Sequence, residues 1–594
     1  MRDVIVVGAG GGGPVVAKEL AAKGLDVLLL EAGPRHADTA GEWTHYENDA
    51  NNPLTGFLRF GPADRSTPAW YRETPQNSFL WQLSGVGGTT QHYLGNSPRA
   101  YPGSFAGYTG ADFDAYDSQH PFPFSYSELV PYYEWVETTL PVQTAAMGTK
   151  EEVFFRGCEN LGLPVQTSKT TTRNSFRPQE NAILQPGGFA GRLAGHEEEP
   201  RLLYPQSTGC TFCGYCILGC KHPAEAPRNL VAKRSTDNSY VPMALTADRW
   251  ADGGRPVELI TDAFVTQVHT EQRNGTTTAT GVTWRGGATG ETHREDAKVV
   301  VLAAGCTENP RLWLNSGLPN PNDWVGRGYT DHYFDWVIAT FDEYTGSSKG
   351  TGSSARSDWP GRGGVMNVGV PPALQSFTMT VSDSGIRGQY ANGRGPTGTW
   401  DGPAGRLLGD ELKDVMMHGI DRMFAMLIMT DDHVEEQNRA TLSAMPADEH
   451  GPIAKVEMHQ RKRSRRTVEN REYLVRRAVE IARAAGATKV FRMDWAPIIL
   501  HVQSSMRMGE SERNSVLDPN GHSRWVDGLY IADNSALSNG ASGANPTLTT
   551  QAVSTRTAEK IFTDRFGGDP WVRTEAPVVS TDGRISSRLA ELGL

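Results

Sequence analysis

The opening of the chain alternates between short apolar runs and glycine-rich turns. Residues 4–7 form a β-branched run bounded by Gly8, which predicts a buried parallel strand. Residues 15–23 have the apolar spacing of a helix, and residues 26–30 predict a second strand that ends at Glu31. A strand, a glycine-rich turn, a helix and a second strand in this order predict a βαβ unit.

The turn between the first strand and the helix has the G-x-G-x-x-G register at Gly8, Gly10 and Gly13. Gly8 permits the tight turn, Gly10 lets a pyrophosphate approach the backbone, and Gly13 lets the helix pack on the strand. The helix N-terminus offers free N–H groups and a partial positive charge to phosphates. Glu31 can accept the ribose hydroxyls of an adenosine, so the sequence predicts a dinucleotide site.

The α/β pattern returns in the second half of the chain. Apolar periodicity predicts strands at residues 257–260, 263–268, 298–304 and 423–429, and an amphipathic helix at 467–485. A chain of 594 residues is too long for one hydrophobic core, so we expect two domains.

The net charge and the lengths of the apolar runs argue against a nucleic-acid-binding protein and a membrane-spanning protein. The net charge of −11 argues against nucleic acid as a partner. No apolar run approaches the ~20 residues that span a bilayer, and no signal-peptide pattern is present. We therefore expect no membrane span and a cytoplasmic location, although export with a partner subunit stays open.

Four of the six cysteines crowd into eleven residues, at Cys210, Cys213, Cys216 and Cys220. This density indicates metal or redox chemistry in a reducing compartment rather than a disulfide framework. The spacing Cys-x2-Cys-x2-Cys-x3-Cys occurs in bacterial ferredoxins, whereas a structural zinc would use the same thiolates. Plain thiols that close a loop are the third interpretation.

A second glycine-rich segment spans residues 85–96. Its Gly87, Gly88 and Thr89 would let backbone amides approach an extended cofactor closely. His92 lies in the same segment, and it is either a packed histidine beside the cofactor or a covalent link to it.

These segments together resemble the glucose–methanol–choline (GMC) flavoprotein oxidoreductases over roughly residues 2–565. The resemblance rests on the first glycine turn, on Glu31-Ala32-Gly33 and on residues 86–90, and it is strongest toward pyranose oxidases and the large subunits of sugar and glucoside 3-dehydrogenases. It implies a discontinuous Rossmann-like FAD-binding domain and an α+β substrate domain with a mainly antiparallel sheet. The expected segments are 1–130, 207–330 and 491–566 for FAD, 131–206 and 331–490 for substrate, and 567–594 for a tail.

The resemblance also implies roles for particular residues. His501 corresponds to the catalytic base, and Asn545 would lie beside it at the flavin ring. Asn545 before Pro546 is also a favoured helix start, and the pair Asp331-His332 is interpreted as structural. The residues expected to contact FAD are Gly8, Gly10, Gly13, Glu31, Ala32, Gly87, Gly88, Thr89, His92, Val265, Ala304, Asp533, Asn545 and Thr547.

Two features of the family concern the flavin link and the cysteines. In pyranose oxidases a histidine in the setting of His92 binds flavin covalently, but Thr90-Gln91 here replaces their Ser-Thr, so we expect non-covalent FAD. Cys210, Cys216 and Cys220 are similar to the ligands of the 3Fe–4S cluster of sugar dehydrogenase large subunits. Cys213 as a fourth ligand would instead support a 4Fe–4S cluster.

The function that the resemblance implies is FAD-dependent oxidation of an alcohol, with a sugar or glycoside as the expected substrate. Hydride would pass to flavin N5 while His501 and Asn545 handle the hydroxyl. An electron-acceptor protein or small subunit is the expected partner. The alternatives are a long-chain or sterol alcohol oxidase, an aminoglycoside-type alcohol oxidase and a non-redox lyase on the same flavin scaffold.

Overall fold

The computed structural model describes ten helices and nineteen strands. The residues that it describes are 1–35, 79–80, 82–144, 147–184, 209–220, 223, 226–287, 289–369, 372, 409–458, 463–493 and 498–594. The helices are α1 Gly13–Ala22, α2 Tyr126–Thr139, α3 Thr149–Asn160, α4 Tyr240–Leu245, α5 Ala247–Trp250, α6 Gly305–Asn315, α7 Gly409–His418, α8 Arg465–Ala484, α9 Thr547–Phe566 and α10 Gly583–Leu592.

The strands are short except for three of eleven residues. They are β1 Arg2–Val7, β2 Val27–Leu30, β3 Phe79–Leu80, β4 Gln143–Thr144, β5 Ser175–Pro178, β6 Glu180–Asn181, β7 Glu258–Ile260, β8 Ala263–Arg273, β9 Thr276–Gly286, β10 Thr292–Leu302, β11 Asp335–Thr340, β12 Ala355–Trp359, β13 Gly363–Val368, β14 Met423–Thr430, β15 Arg439–Leu442, β16 Ala454–Glu457, β17 Lys489–Met493, β18 Ile498–Ile499 and β19 Leu529–Ile531.

A seven-stranded sheet has the order β7-β2-β1-β10-β9-β8, with β19 also paired to β10. The pairs that β1 makes with β2 and β10 are parallel, with Val4 opposite Val27 and Val299. Residues 4–7 are at most 4% exposed, because neighbouring strands and α1 cover them. The predicted βαβ unit is therefore confirmed, with the helix beginning at Gly13 rather than at residue 15.

A six-stranded sheet has the order β17-β11-β14-β13-β12-β5, and every pair in it is antiparallel. On one face, Phe424, Met426 and Ile428 pack with Leu474 and Ala478 of α8, the helix predicted at 467–485. On the other face, Arg356 contacts Asn545, Asp358 accepts from Tyr101, and Leu427 packs with Phe334. This mixed fold matches the expected Rossmann-like domain with a mainly antiparallel second sheet.

The chain crosses between the two sheets several times. β5 comes from the segment expected to be the first part of the substrate domain, and β11–β14 come from the second part. The exact domain limits stay a prediction.

Among the described residues, no helix has the length and apolar composition required to cross a membrane.

Candidate active site

The first glycine turn is packed tightly at three positions and open at a fourth. A Cβ on Gly8 would lie 2.3 Å from the carbonyl oxygen of Ala303, one on Gly12 would lie 2.0 Å from that of Ala532, and one on Gly13 would lie 1.9 Å from that of Gly8. A Cβ on Gly10 would meet no heavy atom within 4 Å. The backbone of Gly10 therefore borders open space at the N-terminus of α1, where phosphates of a dinucleotide fit.

The second glycine segment lies directly against the first. The Gly87 amide donates to the carbonyl of Ala9 at 2.8 Å, and a Cβ on Gly88 would lie 2.8 Å from the Gly10 Cα. Thr89 Oγ1 accepts from the amide of Leu83 at 3.3 Å. Gly10, Gly87 and Gly88 therefore pack together as one backbone cradle.

Glu31 binds both glycine segments through its buried carboxylate. Its Oε2 accepts from the Ala9 amide at 2.8 Å and its Oε1 from the Gly33 amide at 2.9 Å. Burial raises the pKa of Glu31, whereas the amides of Gly33, Ala9 and Gly85 oppose that rise. Each carboxylate oxygen has a further lone pair, so Glu31 still fits a ribose hydroxyl. Ala32 follows it, half-buried.

Asp533 lies at the end of β19, beside the same cradle. Its Oδ2 accepts from the Gly305 amide at 2.6 Å and from Asn309 Nδ2 at 2.9 Å, and its Oδ1 accepts from the Ser535 amide. Burial raises the pKa of Asp533 against these hydrogen bonds. Ala304 donates its amide to Asn309 Oδ1 at 3.0 Å, so Asp533 and Ala304 share one asparagine.

Two expected FAD contacts lie at strand and helix positions. Val265 of β8 is buried, and its carbonyl accepts from Arg311 at 3.2 Å. Thr547 is the first residue of α9, and no side chain caps that helix. The expectation that Asn545 caps α9 is wrong, because the helix begins after Pro546 and the Asn545 side chain binds elsewhere.

His501 and His332 form a directed chain of hydrogen bonds. The Nδ1 atoms of the two imidazoles lie 2.9 Å apart, and His332 Nε2 lies 2.8 Å from the carbonyl oxygen of Gly540. A carbonyl oxygen only accepts, so His332 carries its proton on Nε2 and accepts at Nδ1. His501 must then donate from Nδ1, which leaves its Nε2 as a bare lone pair.

Burial keeps both imidazoles neutral. It lowers the pKa of His501 well below its ordinary value, and the neighbouring His332 lowers it further. Burial lowers the pKa of His332 to about 4, with an added effect of the Arg356 charge. The amide of His501 also donates to Asp331 Oδ1 at 2.8 Å, which fixes the backbone of His501. The Asp331-His332 pair therefore contacts the catalytic candidate directly, beyond the structural role expected for it.

The Asn545 amide is oriented by a buried cation. Arg356 Nη1 donates to Asn545 Oδ1 at 3.4 Å, while Arg356 Nε donates to Asp358 Oδ1 at 2.7 Å and Nη2 to the Tyr101 hydroxyl at 3.2 Å. Because Oδ1 of Asn545 faces the guanidinium, its Nδ2 is the group left to donate to a ligand. Sequence reasoning missed Arg356, which no motif marks.

The six-stranded sheet contributes an apolar wall near His501. The Phe334 ring lies edge-on to the His501 ring, with centroids 5.0 Å apart. Phe334 packs in a cluster with Met366, Val368, Leu427 and Met429. An apolar wall on one side and Arg356 on the other give the site two chemically different faces.

His92 contacts the cysteine segment. Its Nδ1 lies 3.1 Å from the carbonyl oxygen of Ile217, in the turn between Cys216 and Leu218. The cysteines therefore lie next to the segment that borders the cradle.

The four clustered thiols act on one another electrostatically. Burial raises the pKa of Cys210, of Cys216 and, to about 12, of Cys213, and neighbouring thiols raise each further. In the part of the chain that the structure describes, no three of the sulfurs come within 4.8 Å of one another. Sulfurs around one zinc at about 2.3 Å lie roughly 3.8 Å apart, so these thiols would have to move closer together to bind one zinc ion.

Comparison with known proteins assigns the family. The N-terminal GMC oxidoreductase model matches residues 190–334 and the C-terminal one matches 434–554. The chain is 26% identical to 2-methyl-1,2-propanediol dehydrogenase of Mycolicibacterium austroafricanum, covering 94% of this chain and 95% of that protein. It is 26% identical to the fructose dehydrogenase large subunit of Gluconobacter japonicus, covering 95% and 98%.

One further relative and one solved structure are also similar to this chain. Paromamine 6'-oxidase of Streptomyces fradiae is 25% identical, covering 95% of this chain and 91% of its own. The crystal structure of pyridoxine 4-oxidase from Mesorbium loti has the same fold, with a TM-score of 0.56 and 15% identity over 96% of this chain and all of its own. The chain belongs to the GMC oxidoreductase family of FAD-dependent flavoproteins and is an oxidoreductase.

Proposed function

We propose that this enzyme oxidises an alcohol group of a sugar or glycoside to a carbonyl, with His501 as the general base. The observation that carries the proposal is that Nε2 of His501 has no proton. The hydrogen bonds from His332 to the Gly540 carbonyl and from His501 to His332 fix this tautomer. A neutral imidazole with an open Nε2 can take the proton of a hydroxyl group.

The residues of the cradle fit FAD. Gly10, Gly87 and Gly88 would hold the pyrophosphate, Glu31 the adenosine ribose, and Asp533 hydroxyl groups of the flavin side chain. Bound FAD supplies the acceptor for the hydride that leaves the alcohol carbon, at flavin N5.

The protein's own residues manage the hydroxyl group. Asn545 Nδ2 donates to the hydroxyl oxygen and so directs its O–H toward His501. His501 Nε2 takes the proton as the carbon gives up its hydride, so that the alcohol loses one proton and one hydride to become a carbonyl. His332 keeps His501 in the tautomer that can do this, and Arg356 keeps the Asn545 amide facing the substrate.

The sugar assignment draws on a relative and on the two faces of the site. The fructose dehydrogenase large subunit matches along nearly the whole chain. Sugars present an apolar C–H face and a rim of hydroxyls, which suit Phe334 on one side and Asn545 on the other. A cationic aminoglycoside is the second candidate, because paromamine 6'-oxidase is a relative and the net charge is −11.

The four cysteines are proposed as ligands of an iron–sulfur cluster, which would supply an electron acceptor inside the protein. A polynuclear cluster gives each cysteine its own iron and so accepts sulfurs that are farther apart than those around one ion. Lys233 supports this, since its buried ammonium donates to the carbonyls of Gln91 at 2.6 Å and Tyr93 at 2.9 Å, and no carboxylate pairs with it among the described residues. Thiolate ligands would supply that missing negative charge. An exit for electrons favours a dehydrogenase with an acceptor protein.

The test is substrate-dependent bleaching of the flavin band without oxygen. We expect a sugar or glycoside to bleach the wild type, and His501→Ala to keep its FAD but not bleach. The exposed His418→Ala serves as the matched histidine control. Normal bleaching in His501→Ala would refute the base assignment, and turnover with an oxidised flavin would indicate a lyase.

A further inference from the structure

A second group of metal-binding side chains lies away from the proposed catalytic residues and the cysteines. Asp117 and His120 belong to the loop before α2, whereas His433 follows the end of β14. One ligand atom from each lies within 4.8 Å of the other two. Two imidazoles and one carboxylate from distant parts of the chain therefore converge on one point.

The spacing of the donor atoms matches a first coordination sphere. His120 Nδ1 lies 3.0 Å from Asp117 Oδ2, and His433 Nδ1 lies 3.3 Å from the same oxygen. Donors bound to zinc at about 2.0–2.1 Å are roughly 3.3 Å apart in a tetrahedron. A divalent ion can therefore bind after small side-chain shifts, to the neutral tautomers whose ring proton is on Nε2 and whose Nδ1 is free to coordinate.

The surroundings favour a positive ion. The Asp117 side chain is 3% exposed and that of His120 is 6% exposed. Asp117 makes ion pairs with these two imidazoles alone among the described residues, so neither a lysine nor an arginine neutralises it directly. The charged Arg507 acts on it from a greater distance. Burying a carboxylate without a firm cation is costly, and a metal ion removes that cost.

The carboxylate is also held in place and one side is open. Asp117 Oδ1 accepts from the Gln119 amide at 3.2 Å and Oδ2 from the Val434 amide at 3.0 Å. Such outer contacts orient metal ligands in known sites. The His433 side chain is 29% exposed, so water can reach the fourth position.

We propose that Asp117, His120 and His433 bind a divalent transition metal ion, with Zn²⁺ as the probe. Two histidines and one carboxylate suit zinc and related ions rather than Ca²⁺ or Mg²⁺, which take oxygen ligands. The ion joins the loop before α2 to the end of β14 and so stabilises the contact between them. The carbonyl of His120 accepts from Asn539 Nδ2 at 2.9 Å, one residue before the Gly540 that binds His332.

The experiment must distinguish zinc bound at this site from zinc bound by the cysteines. Cys216→Ser protein and Cys216→Ser/His433→Ala protein are stripped with a chelator, dialysed against Zn²⁺ and analysed for bound zinc and thermal unfolding. We expect the first to bind one more equivalent than the second, and zinc to raise the unfolding temperature of the first alone. Asp117→Asn keeps a hydrogen-bonding side chain. It should lower the zinc content and remove the zinc-dependent rise in unfolding temperature as His433→Ala does, in both the wild-type and the Cys216→Ser backgrounds.

Cobalt identifies the ligand type. Co²⁺ added to stripped Cys216→Ser protein should give visible bands that His433→Ala removes, without new near-ultraviolet thiolate absorption. Equal zinc content with and without His433, no zinc in either, or thiolate absorption that follows the extra equivalent would overturn the proposal. These readouts do not involve catalysis, so they are independent of the proposed reaction.

Discussion

The Nδ1 atoms of His501 and His332 lie 2.9 Å apart, and the Gly540 carbonyl binds the far nitrogen of His332. These two hydrogen bonds set the proton positions on both rings. In a neutral imidazole one nitrogen donates and the other accepts, so the role of one nitrogen fixes the role of the next. A backbone carbonyl thus determines which nitrogen of His501 keeps a free lone pair. Backbone at Ala541 and Ser542 adopts left-handed φ values of 51° and 58°, so the segment that presents this carbonyl is strained.

Replacement of His332 should slow flavin reduction without loss of FAD. In His332→Phe, His501 can adopt either tautomer, and we expect a reduction rate lower by about 10- to 100-fold, toward the low end of what a general base contributes. Stopped-flow reduction under anaerobic conditions measures it. His332→Gln, whose carbonyl can still accept from His501, should recover part of the rate. An unchanged rate in His332→Phe would rule out the positioning role.

The buried neutral His332 should make stability depend on pH. Its pKa is about 4 in the folded state, because burial opposes the charge, and near the ordinary 6.5 when unfolded. Above pH 6.5 both states are neutral and stability is complete. As pH falls from 6.5 to 4 only the unfolded state takes up the proton, so the free energy of unfolding should drop by roughly 3 kcal/mol. Urea unfolding at several pH values measures it.

The control for that effect is the difference between variants. Carboxyl groups also titrate toward pH 4, so the wild type alone cannot isolate the histidine. In His332→Gln the free energy of unfolding should fall less steeply between pH 6.5 and 4, because the contribution of His332 is absent. Parallel curves for the two proteins would contradict the buried-neutral assignment.

Arg356 should act through Asn545. Arg356→Lys keeps the charge opposite Asp358, but an ammonium cannot donate to Asp358, Tyr101 and Asn545 in the fixed geometry of a guanidinium. We expect a fall in kcat of about tenfold, from loss of one oriented hydrogen bond of about 1–1.5 kcal/mol. In an Asn545→Ala background the same substitution should change kcat little. Additive losses would show that Arg356 acts independently of Asn545.

Local pattern predicted the parts of the fold that depend on neighbours in sequence. The run of residues 4–7 and the glycine spacing predicted β1, the turn and α1, because burial and close backbone contacts demand those residue types. The amphipathic period predicted α8 to within two residues of its start. The clustering of the cysteines also predicts a common site, and that stays a prediction.

Contacts between distant segments could not be read in this way. His332 and His501 are 169 positions apart, and the Asp-His pair has no periodicity that points to a partner. The polar sequence of β12 is typical of a surface strand, yet every residue in it is buried, because Arg356 and Asp358 neutralise each other inside. Asn545 before Pro546 is a strong helix-start pattern, but the Arg356 guanidinium takes its side-chain oxygen.

FAD should be released from denatured protein. His92 is buried, and its Nδ1 is within hydrogen-bond distance of the Ile217 carbonyl. The preceding Thr90-Gln91 differ from the covalent pattern of pyranose oxidases, so we expect the yellow colour in the supernatant after acid precipitation. His92→Ala should behave identically in this assay. Colour that stays with the wild-type pellet and is lost from His92→Ala would show a covalent link.

The cysteines should carry iron. Four thiols in eleven residues repel one another once ionised, and burial already raises the pKa of three of them, so thiolates form here only on a metal. Protein purified without air should contain about three or four irons and matching acid-labile sulfide per chain. Cys216→Ser should lose that iron while sugar still bleaches the flavin, whereas the isolated Cys158→Ser should retain it. Iron-free protein that holds FAD would end the cluster hypothesis, and wild-type electron transfer to an external acceptor in Cys216→Ser would show that the cluster, if present, is not the exit for electrons.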